Sequence, residues 1–100
     1  MDRLIRTLLT IITESALESI LIKDLERLGV RGYTITDARG KGSRGIRNAT
    51  WSESGNIHIE VVCDTETATA IAAHLQAQYY ENYAMIVYMS DVAVLRSEKF

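Results

Sequence analysis

The 100-residue sequence contains no proline and only one cysteine, Cys63. A single cysteine excludes an intramolecular disulfide and the zinc sites that require several cysteines, so a reducing, cytoplasmic setting is expected. The apolar N-terminal stretch 1–13 is too short to cross a bilayer and lacks the small-residue cleavage site of a signal peptide. The sequence also lacks repeats and internal linkers, which indicates one domain.

Neither sign of charge dominates, since 13 acidic residues oppose 11 lysines and arginines and leave a formal net charge of -2. A chain this close to neutral does not fit a nucleic-acid binder that depends on bulk positive charge. Apolar residues make up 47% of the sequence, and no low-complexity tract interrupts them. This composition favours a folded domain with a single core over a disordered chain.

Local patterns predict four strands and two helices. Short apolar or alternating segments indicate strands, and apolar residues at helical spacing indicate helices. Ser15 with Glu18 is typical of a capping box, and Gly29 follows where a helix end favours positive φ, so the first helix is predicted over 15–28. Strands are predicted at 8–13, 32–39, 56–63 and 84–89, and residues 91–95 extend the last of them. A second helix is predicted to begin at Asp64 or Thr65. Its apolar stripe consists of Ala68, Ile71, Ala72, Leu75 and Tyr79.

This order of elements predicts an α+β, ferredoxin-like βαββαβ fold, with a four-stranded antiparallel sheet and two helices on one face. In the third strand, Ile57, Ile59 and Val61 are expected to face the core, while His58 and Glu60 point the other way. The face without helices would remain bare in a single chain. Because most soluble oligomers are symmetric assemblies of one chain, a homo-oligomer that covers this face is expected.

The segment 40–55 shows no apolar period, and connections of that length in a small domain are commonly functional or disordered. Cations and glycines crowd its start, with no acidic residue between Asp37 and Glu53. Glycines let backbone N–H groups approach a ligand, and arginine offers paired donors that match phosphate oxygens. An anion-binding loop is therefore one interpretation, and a solvated connection is the other.

Other chemistry-bearing residues give weaker signals. Glu60 has either a ligand role or a solvated position on the sheet. His58 and His74 are not expected to form a metal site, since one lies on a strand and the other on a helix surface. Cys63 is expected to be a small packed residue, because no partner base is evident. Trp51, in the polar loop, suggests a contact with a partner or another subunit.

The stretch GYTITDARGKGSRGIR, residues 32–47, resembles the start of the long T-loop of PII-like signalling proteins. It is most similar to the carboxysome-associated PII and SbtB-like branch. The element order agrees over the whole chain, and NIHIEVVCDTE and NYAMIVYMSDVAVL fall where the third and fourth strands of that family fall. The resemblance implies one PII-like domain over 1–100, a T-loop at about 40–55, and a homotrimer with nucleotide sites in the clefts between subunits.

The resemblance also implies which residues bind an adenine nucleotide. Thr34 matches a position that contacts adenine, and Glu60 and Val62 match positions near the ribose and base. The backbone at the loop base meets ribose and phosphate, two arginines reach the phosphates, and a short loop before the last strand wraps the ligand from the other side. These positions are Gly40, Lys41, Gly42 and Ser43 for the loop base, Arg44 and Arg47 for the phosphates, and Tyr83, Ala84 and Met85 for the short loop.

Departures from nitrogen-sensing PII proteins narrow the expected ligand. Their short loop is rich in glycine and carries a lysine for the outer phosphates, whereas residues 81–85 here contain no lysine. AMP or ADP is therefore expected to bind at least as well as ATP, and cyclic AMP is a further candidate. The T-loop has no tyrosine that could accept a uridylyl group, and the chain has no cysteine-containing hairpin at its end.

The expected function is regulatory binding rather than catalysis, with no catalytic residues and no metal. The resemblance implies that adenine nucleotide and bicarbonate report energy and inorganic-carbon status, and that the T-loop signals to a protein such as a bicarbonate transporter or carboxysome component. Three alternatives share the element order. The first is an ACT-like regulatory domain that binds amino acids. The second is an acylphosphatase-like enzyme, but the phosphate loop that such enzymes carry after the first strand is missing here. The third is an RNA-binding domain, but its paired aromatic positions are missing.

Overall fold

The computed structural model describes residues 3–40 and 55–95. Within these ranges the chain forms four strands, two α-helices and one 3₁₀ turn, and the predicted βαββαβ order is confirmed. The elements are β1 at Leu4–Glu14, the 3₁₀ turn at Ser15–Leu17, α1 at Glu18–Arg27, β2 at Thr34–Ala38, β3 at Asn56–Cys63, α2 at Thr65–Tyr79 and β4 at Met85–Val94.

The four strands form one antiparallel sheet in the order β2-β3-β1-β4, so β1 and β3 are central and β2 and β4 are the edges. β1 is longer than the predicted strand 8–13. Its first residues pair with the end of β4, where Leu4 lies opposite Val94 and Thr7 lies opposite Asp91. Residues 4–7 show no clear alternation of apolar and polar side chains, and β1 extends over them because they pair with the end of β4.

The core lies between the sheet and the two helices. Ile57, Ile59 and Val61 of β3 are exposed by 1% or less, which confirms the predicted alternation of that strand. β1 adds Leu9 and Ile11, which are fully buried on the same face. The helices complete the core with Leu21, Leu25, Ala68, Ile71, Leu75 and Tyr79. Burial of each large aliphatic side chain stabilises the fold by roughly 1.5–3 kcal/mol.

The predicted capping box at the start of the first helix is wrong. Ser15 belongs to a 3₁₀ turn, its N–H donates to the carbonyl of Gly55 at 3.1 Å, and α1 starts only at Glu18. The N-cap of α1 is Leu17, which makes no side-chain capping bond. The carbonyl of Gly55, 40 positions away in sequence, thus takes the place of the reciprocal hydrogen bonds between Ser15 and Glu18 that the Ser-x-x-Glu spacing suggests.

The end of α1 follows the prediction. Gly29 has a φ of 93°, a conformation that costs little only for glycine. The N–H of Val30 donates to the carbonyl of Leu25 at 3.0 Å, and the N–H of Gly29 donates to that of Glu26 at 3.1 Å. This pair of bonds is a Schellman motif, and Val30 packs against the core as such motifs favour.

A buried polar cluster joins α1 to α2. The carboxylate of Asp24 accepts a short hydrogen bond from the hydroxyl of Tyr79, and His74 Nε2 and an Arg27 guanidinium nitrogen lie 3.1 and 3.4 Å from its oxygens. Burial, followed by the hydrogen bond and charge of Asp24, raises the pKa of Tyr79 to about 12. His74, which was expected at a helix surface, is half-buried there, and its ring faces this carboxylate.

Candidate functional site

The predicted site residues that the structure describes fall at two places on the sheet. The first place lies across β2 and β3. Thr34 is the direct register partner of Glu60 in the antiparallel ladder, and Val62 follows two positions later in β3. Because successive side chains of a strand alternate, these three residues share the face that carries no helix. Thr34 and Glu60 are exposed, and Val62 is half-buried.

The face without helices is apolar at one side and polar at the other. Ile86 and Tyr88 of β4 remain 46% and 50% exposed there. The polar side holds His58, whose Nε2 lies 3.4 Å from Glu60 Oε2. His58 Nε2 and Asn56 Oδ1 are buried atoms that find no hydrogen-bond partner among residues 3–40 and 55–95. Buried polar atoms in folded proteins are nearly always satisfied, so this face favours contact with another molecule.

A cavity of about 420 Å³ opens beside the first place, where the loop between α1 and β2 faces the end of β3. Val62, a predicted site residue, is part of its wall. Its volume lies within the range of sites that hold small organic ligands. The lining residues are Gly29, Val30, Arg31, Gly32, Val62, Cys63, Asp64 and Thr67.

The cavity wall contains charged and polar groups that the sequence patterns did not assign to a ligand site. Arg31 is exposed and supplies a cation, and its position between two glycines was the available signal. Asp64 caps α2, as one of the two predicted caps, by accepting the N–H of Thr67 at 2.8 Å. That backbone hydrogen bond is the main reason why the pKa of Asp64 is lowered. Its carboxylate is therefore charged at neutral pH.

Cys63 also lines the cavity and packs against the core. Burial, and to a lesser degree the negative charge of Asp64, raises the pKa of the thiol. The thiol is the weakly reactive form, because thiolates rather than thiols act as nucleophiles. The structure thus agrees with the prediction that Cys63 is a packed residue.

The second place is the end of the turn before β4 together with the first residue of that strand, and it holds Tyr83, Ala84 and Met85. The N–H of Ala84 donates to Glu14 Oε2 at 2.8 Å, and its carbonyl accepts the hydroxyl of Thr13 at 2.7 Å. The N–H of Tyr83 donates to the carbonyl of Tyr79 at 3.0 Å, and the two rings pack edge to face with centroids 6.0 Å apart. Sequence patterns did not indicate the roles of Thr13 and Glu14, because their partner lies 70 or more positions away.

One chain does not bring the two places together. Gly40 follows β2 at one edge of the sheet, whereas the turn 83–85 leads into β4 at the opposite edge. Three strand spacings of about 4.8 Å separate the edges by roughly 14 Å. The remaining predicted site residues, Lys41, Gly42, Ser43, Arg44 and Arg47, lie outside the described residues, as does Trp51.

Two further classes of site were tested in the described part of the chain. No group of three or more His, Cys, Asp or Glu side chains within 3–40 and 55–95 is arranged to hold a metal ion. No helix in those ranges is both long enough and apolar enough to cross a membrane.

The family model of nitrogen regulatory protein P-II matches residues 6–99 of the chain. The chain belongs to the PII family. The match covers both helices and all four strands except the first two residues of β1. With the antiparallel order β2-β3-β1-β4, it confirms the predicted fold class.

Solved structures of PII-like proteins resemble this PII chain over nearly its whole length. A PII-like signalling protein from Thermus thermophilus is 47% identical, with a TM-score of 0.84 and coverage of 100% of this chain and 99% of that one. CPII from Thiomonas intermedia, bound to ADP, AMP and acetate, is 28% identical, with a TM-score of 0.86 and coverage of 100% and 98%. The same CPII bound to ADP, AMP and bicarbonate is 28% identical, with a TM-score of 0.80 and coverage of 94% and 99%.

Proposed function

We propose that this PII-family chain is a regulatory protein that binds AMP or ADP in the clefts between the subunits of a homotrimer. The observation that carries the proposal is the division of the nucleotide residues between opposite edges of one sheet. Thr34 and Gly40 belong to the β2 edge, and Tyr83, Ala84 and Met85 belong to the β4 edge. A neighbouring copy brings such edges together, and the bare face with unsatisfied polar atoms gives the copies a surface to share.

The adenine and ribose belong at the β2 edge. Thr34 supplies a hydroxyl there, Glu60 supplies a carboxylate directly opposite, and Val62 links them to the cavity of about 420 Å³. A carboxylate is a good acceptor for ribose hydroxyls, and the half-buried Val62 offers the base an apolar contact. Glu60 lies away from the phosphates in this arrangement, so its charge does not oppose theirs.

The phosphates belong at the loop that follows β2. Gly40, Lys41, Gly42 and Ser43 offer backbone N–H groups and a hydroxyl, and Arg44 and Arg47 offer guanidinium groups. The turn 83–85 of the neighbouring subunit closes the site, without a lysine for an outer phosphate. AMP and ADP are therefore the expected ligands, with ATP and cyclic AMP as weaker candidates.

Bicarbonate is the second proposed ligand. CPII from Thiomonas intermedia, with which this chain shares 29% identity, has a structure with ADP and bicarbonate. Bicarbonate is a small planar anion, and the cations around residue 44 exceed what one or two phosphates require. We place the chain in the carboxysome-associated, SbtB-like branch. There it acts in the cytoplasm and signals through a T-loop at 40–55 to a bicarbonate transporter or carboxysome component.

Isothermal titration calorimetry tests this proposal directly. AMP, ADP, ATP and cyclic AMP are titrated separately into the purified protein, with bicarbonate in one series and chloride at equal ionic strength and pH in the other. Light scattering on the same samples measures the oligomeric state. The expected result is a trimer that binds one AMP or ADP per chain, more tightly with bicarbonate.

Two other outcomes have distinct meanings. Nucleotide binding that is equal in bicarbonate and chloride would retain the nucleotide site and remove the carbon-sensing role. No heat with any of the four nucleotides would reject the function altogether. Amino acids would then be titrated to test the ACT-like alternative, which needs neither the basic loop nor a phosphate site.

A further inference from the structure

Ala84 is held from outside its own turn by two consecutive side chains of β1. Glu14 Oε2 accepts the N–H of Ala84 at 2.8 Å, and the hydroxyl of Thr13 donates to the carbonyl of Ala84 at 2.7 Å. Both polar backbone groups of one residue are thus used by residues 70 and 71 positions earlier. None of the sequence motifs assigns a role to either side chain.

These two bonds continue the sheet beyond its last backbone pair. The ladder between β1 and β4 ends at Thr13 and Met85. One position further, Glu14 still pairs with Asn56 of β3 on one side of β1, but the β4 ladder no longer continues on the other side. The side chains of Thr13 and Glu14 take the place of the backbone bonds that Ala84 would otherwise make to β1, and so they fix the residue at the point where the turn enters the strand.

Both bonds are of kinds that are costly to lose. Thr13 is fully buried and Ala84 is half-buried, so removal of the hydroxyl takes away the donor of a partly buried carbonyl. The bond from Ala84 to Glu14 has an ionised acceptor, and such bonds are shorter and stronger than neutral ones. The carboxylate itself is half-buried rather than free in solvent.

The same corner of β1 also holds the residue that precedes β3. The N–H of Ser15 donates to the carbonyl of Gly55 at 3.1 Å. Three consecutive residues, Thr13, Glu14 and Ser15, therefore connect the turn before β4 with the beginning of β3. The corner is a junction built from contacts distant in sequence.

We propose that Glu14 is a positioning residue for nucleotide binding, acting with Thr13 to hold Ala84 in the geometry that the ligand meets. The inference rests on the proposed function, because Ala84 belongs to the turn assigned there to the nucleotide. A turn held in its bound shape before binding loses less conformational freedom when the ligand arrives. Glu14 does not touch the nucleotide in this scheme, and its effect passes through the backbone of Ala84.

Matched substitutions separate the hydrogen bond from the charge. Glu14→Ala removes the acceptor and the charge, whereas Glu14→Gln keeps an amide oxygen that accepts from Ala84. Thr13→Val removes the donor at nearly constant volume, whereas Thr13→Ser keeps it. Glu26→Ala, at an exposed position of α1, removes one negative charge elsewhere and serves as the control.

Three measurements are made on each trimeric variant: amide hydrogen exchange at Ala84 without ligand, affinity for AMP and ADP by calorimetry, and thermal unfolding. Glu14→Ala and Thr13→Val are expected to speed amide exchange at Ala84 and to lower the affinity for AMP and ADP about five- to tenfold. A loss of this size corresponds to the cost of ordering one side chain or turn residue on binding. Glu14→Gln and Thr13→Ser are expected to retain most of the affinity. Glu26→Ala should change neither quantity.

Each contrary result has its own meaning. Unchanged exchange at Ala84 in Glu14→Ala would show that the carboxylate does not hold the turn. Faster exchange with unaltered affinity would leave only a structural contact, and tighter binding in both Glu14 variants would show that the charge opposes the phosphates. If the unmodified protein binds no nucleotide, the proposed function and this inference both fall, and that failure is visible before any substitution is made.

Discussion

Thr34 and Glu60 lie directly opposite each other in the antiparallel ladder between β2 and β3. Opposed residues of such a ladder have Cβ atoms about 4.5–5.5 Å apart, so the hydroxyl and the carboxylate can contact one small ligand together. Both residues are exposed, and β2 is an edge strand of the sheet, with no described strand of the chain on its outer side. This pair is the most definite part of the proposed site within the described residues.

Loss of the Thr34 hydroxyl should weaken nucleotide binding without unfolding the protein. Thr34→Val is expected to lower the affinity for AMP and ADP roughly three- to tenfold, the equivalent of one hydrogen bond. Thr34→Ser should remain near the original value. Thr36→Val, two residues further along the same exposed edge, is the control. Calorimetry measures the affinities, and equal affinities for Thr34→Val and Thr36→Val would remove Thr34 from the site.

Charge reversal in the basic loop should lower the affinity for nucleotides, because the loop is proposed to contact their phosphates. Arg44→Glu is expected to reduce ADP affinity by at least roughly tenfold, since a charge-assisted contact is lost and a repulsive one is introduced. Lys23→Glu makes the same charge change on the exposed side of α1. Titrations with AMP and ADP at two salt concentrations measure the effect. An unchanged affinity in Arg44→Glu would contradict the assignment of Arg44.

The corner at Gly55 should tolerate no side chain. Gly55 has a φ of 76°, and a Cβ added there would lie 3.3 Å from Ser15 Oγ. Gly55→Ala is expected to lower the free energy of unfolding by about 1–3 kcal/mol through backbone strain. Gly32→Ala, where a Cβ meets no atom within 4 Å, is the control. Denaturant unfolding of both variants checks the difference, and equal losses would argue against strain at Gly55.

Alkaline pH should reduce the stability that the cluster of Asp24, His74 and Tyr79 contributes between α1 and α2. The pKa of Tyr79 is raised from 10.0 to about 12, so the folded state favours the neutral hydroxyl that donates to Asp24. The stability that this preference supplies is complete below pH 10 and is lost as the pH rises toward about 12. Tyr79→Phe lacks the group and should not show this loss.

Unfolding curves of the two proteins across that pH range, together with the near-ultraviolet absorbance of tyrosinate, measure the difference. A parallel decline of stability in the original chain and in Tyr79→Phe would assign the alkaline loss to other groups. At neutral pH, Tyr79→Phe should already be less stable by about 1–3 kcal/mol, since the buried carboxylate of Asp24 loses one donor.

The candidate site was predictable in part. Alternation alone predicted that Glu60 points away from the core, whereas its direct opposition to Thr34 required the register of two strands. The cavity beside Val62 depends on how the α1–β2 loop meets the end of β3. Arg31 in that loop had only the flanking glycines as a local signal, and Glu14 at the end of β1 had none, because its partner Ala84 lies far away in sequence.

The sequence by itself determined the kinds and order of the elements and the direction of the core. Asn56–Cys63 has the predicted bounds, and Gly29 ends α1 as predicted, because strand alternation and left-handed backbone depend on neighbouring residues only. Tertiary structure decided where partners distant in sequence replace local ones. The Glu14 carboxylate accepts from the N–H of Ala84, and the N–H of Ser15 donates to the carbonyl of Gly55, because packing of the sheet brings these groups together. A backbone group that is satisfied by a distant partner no longer needs a nearby cap.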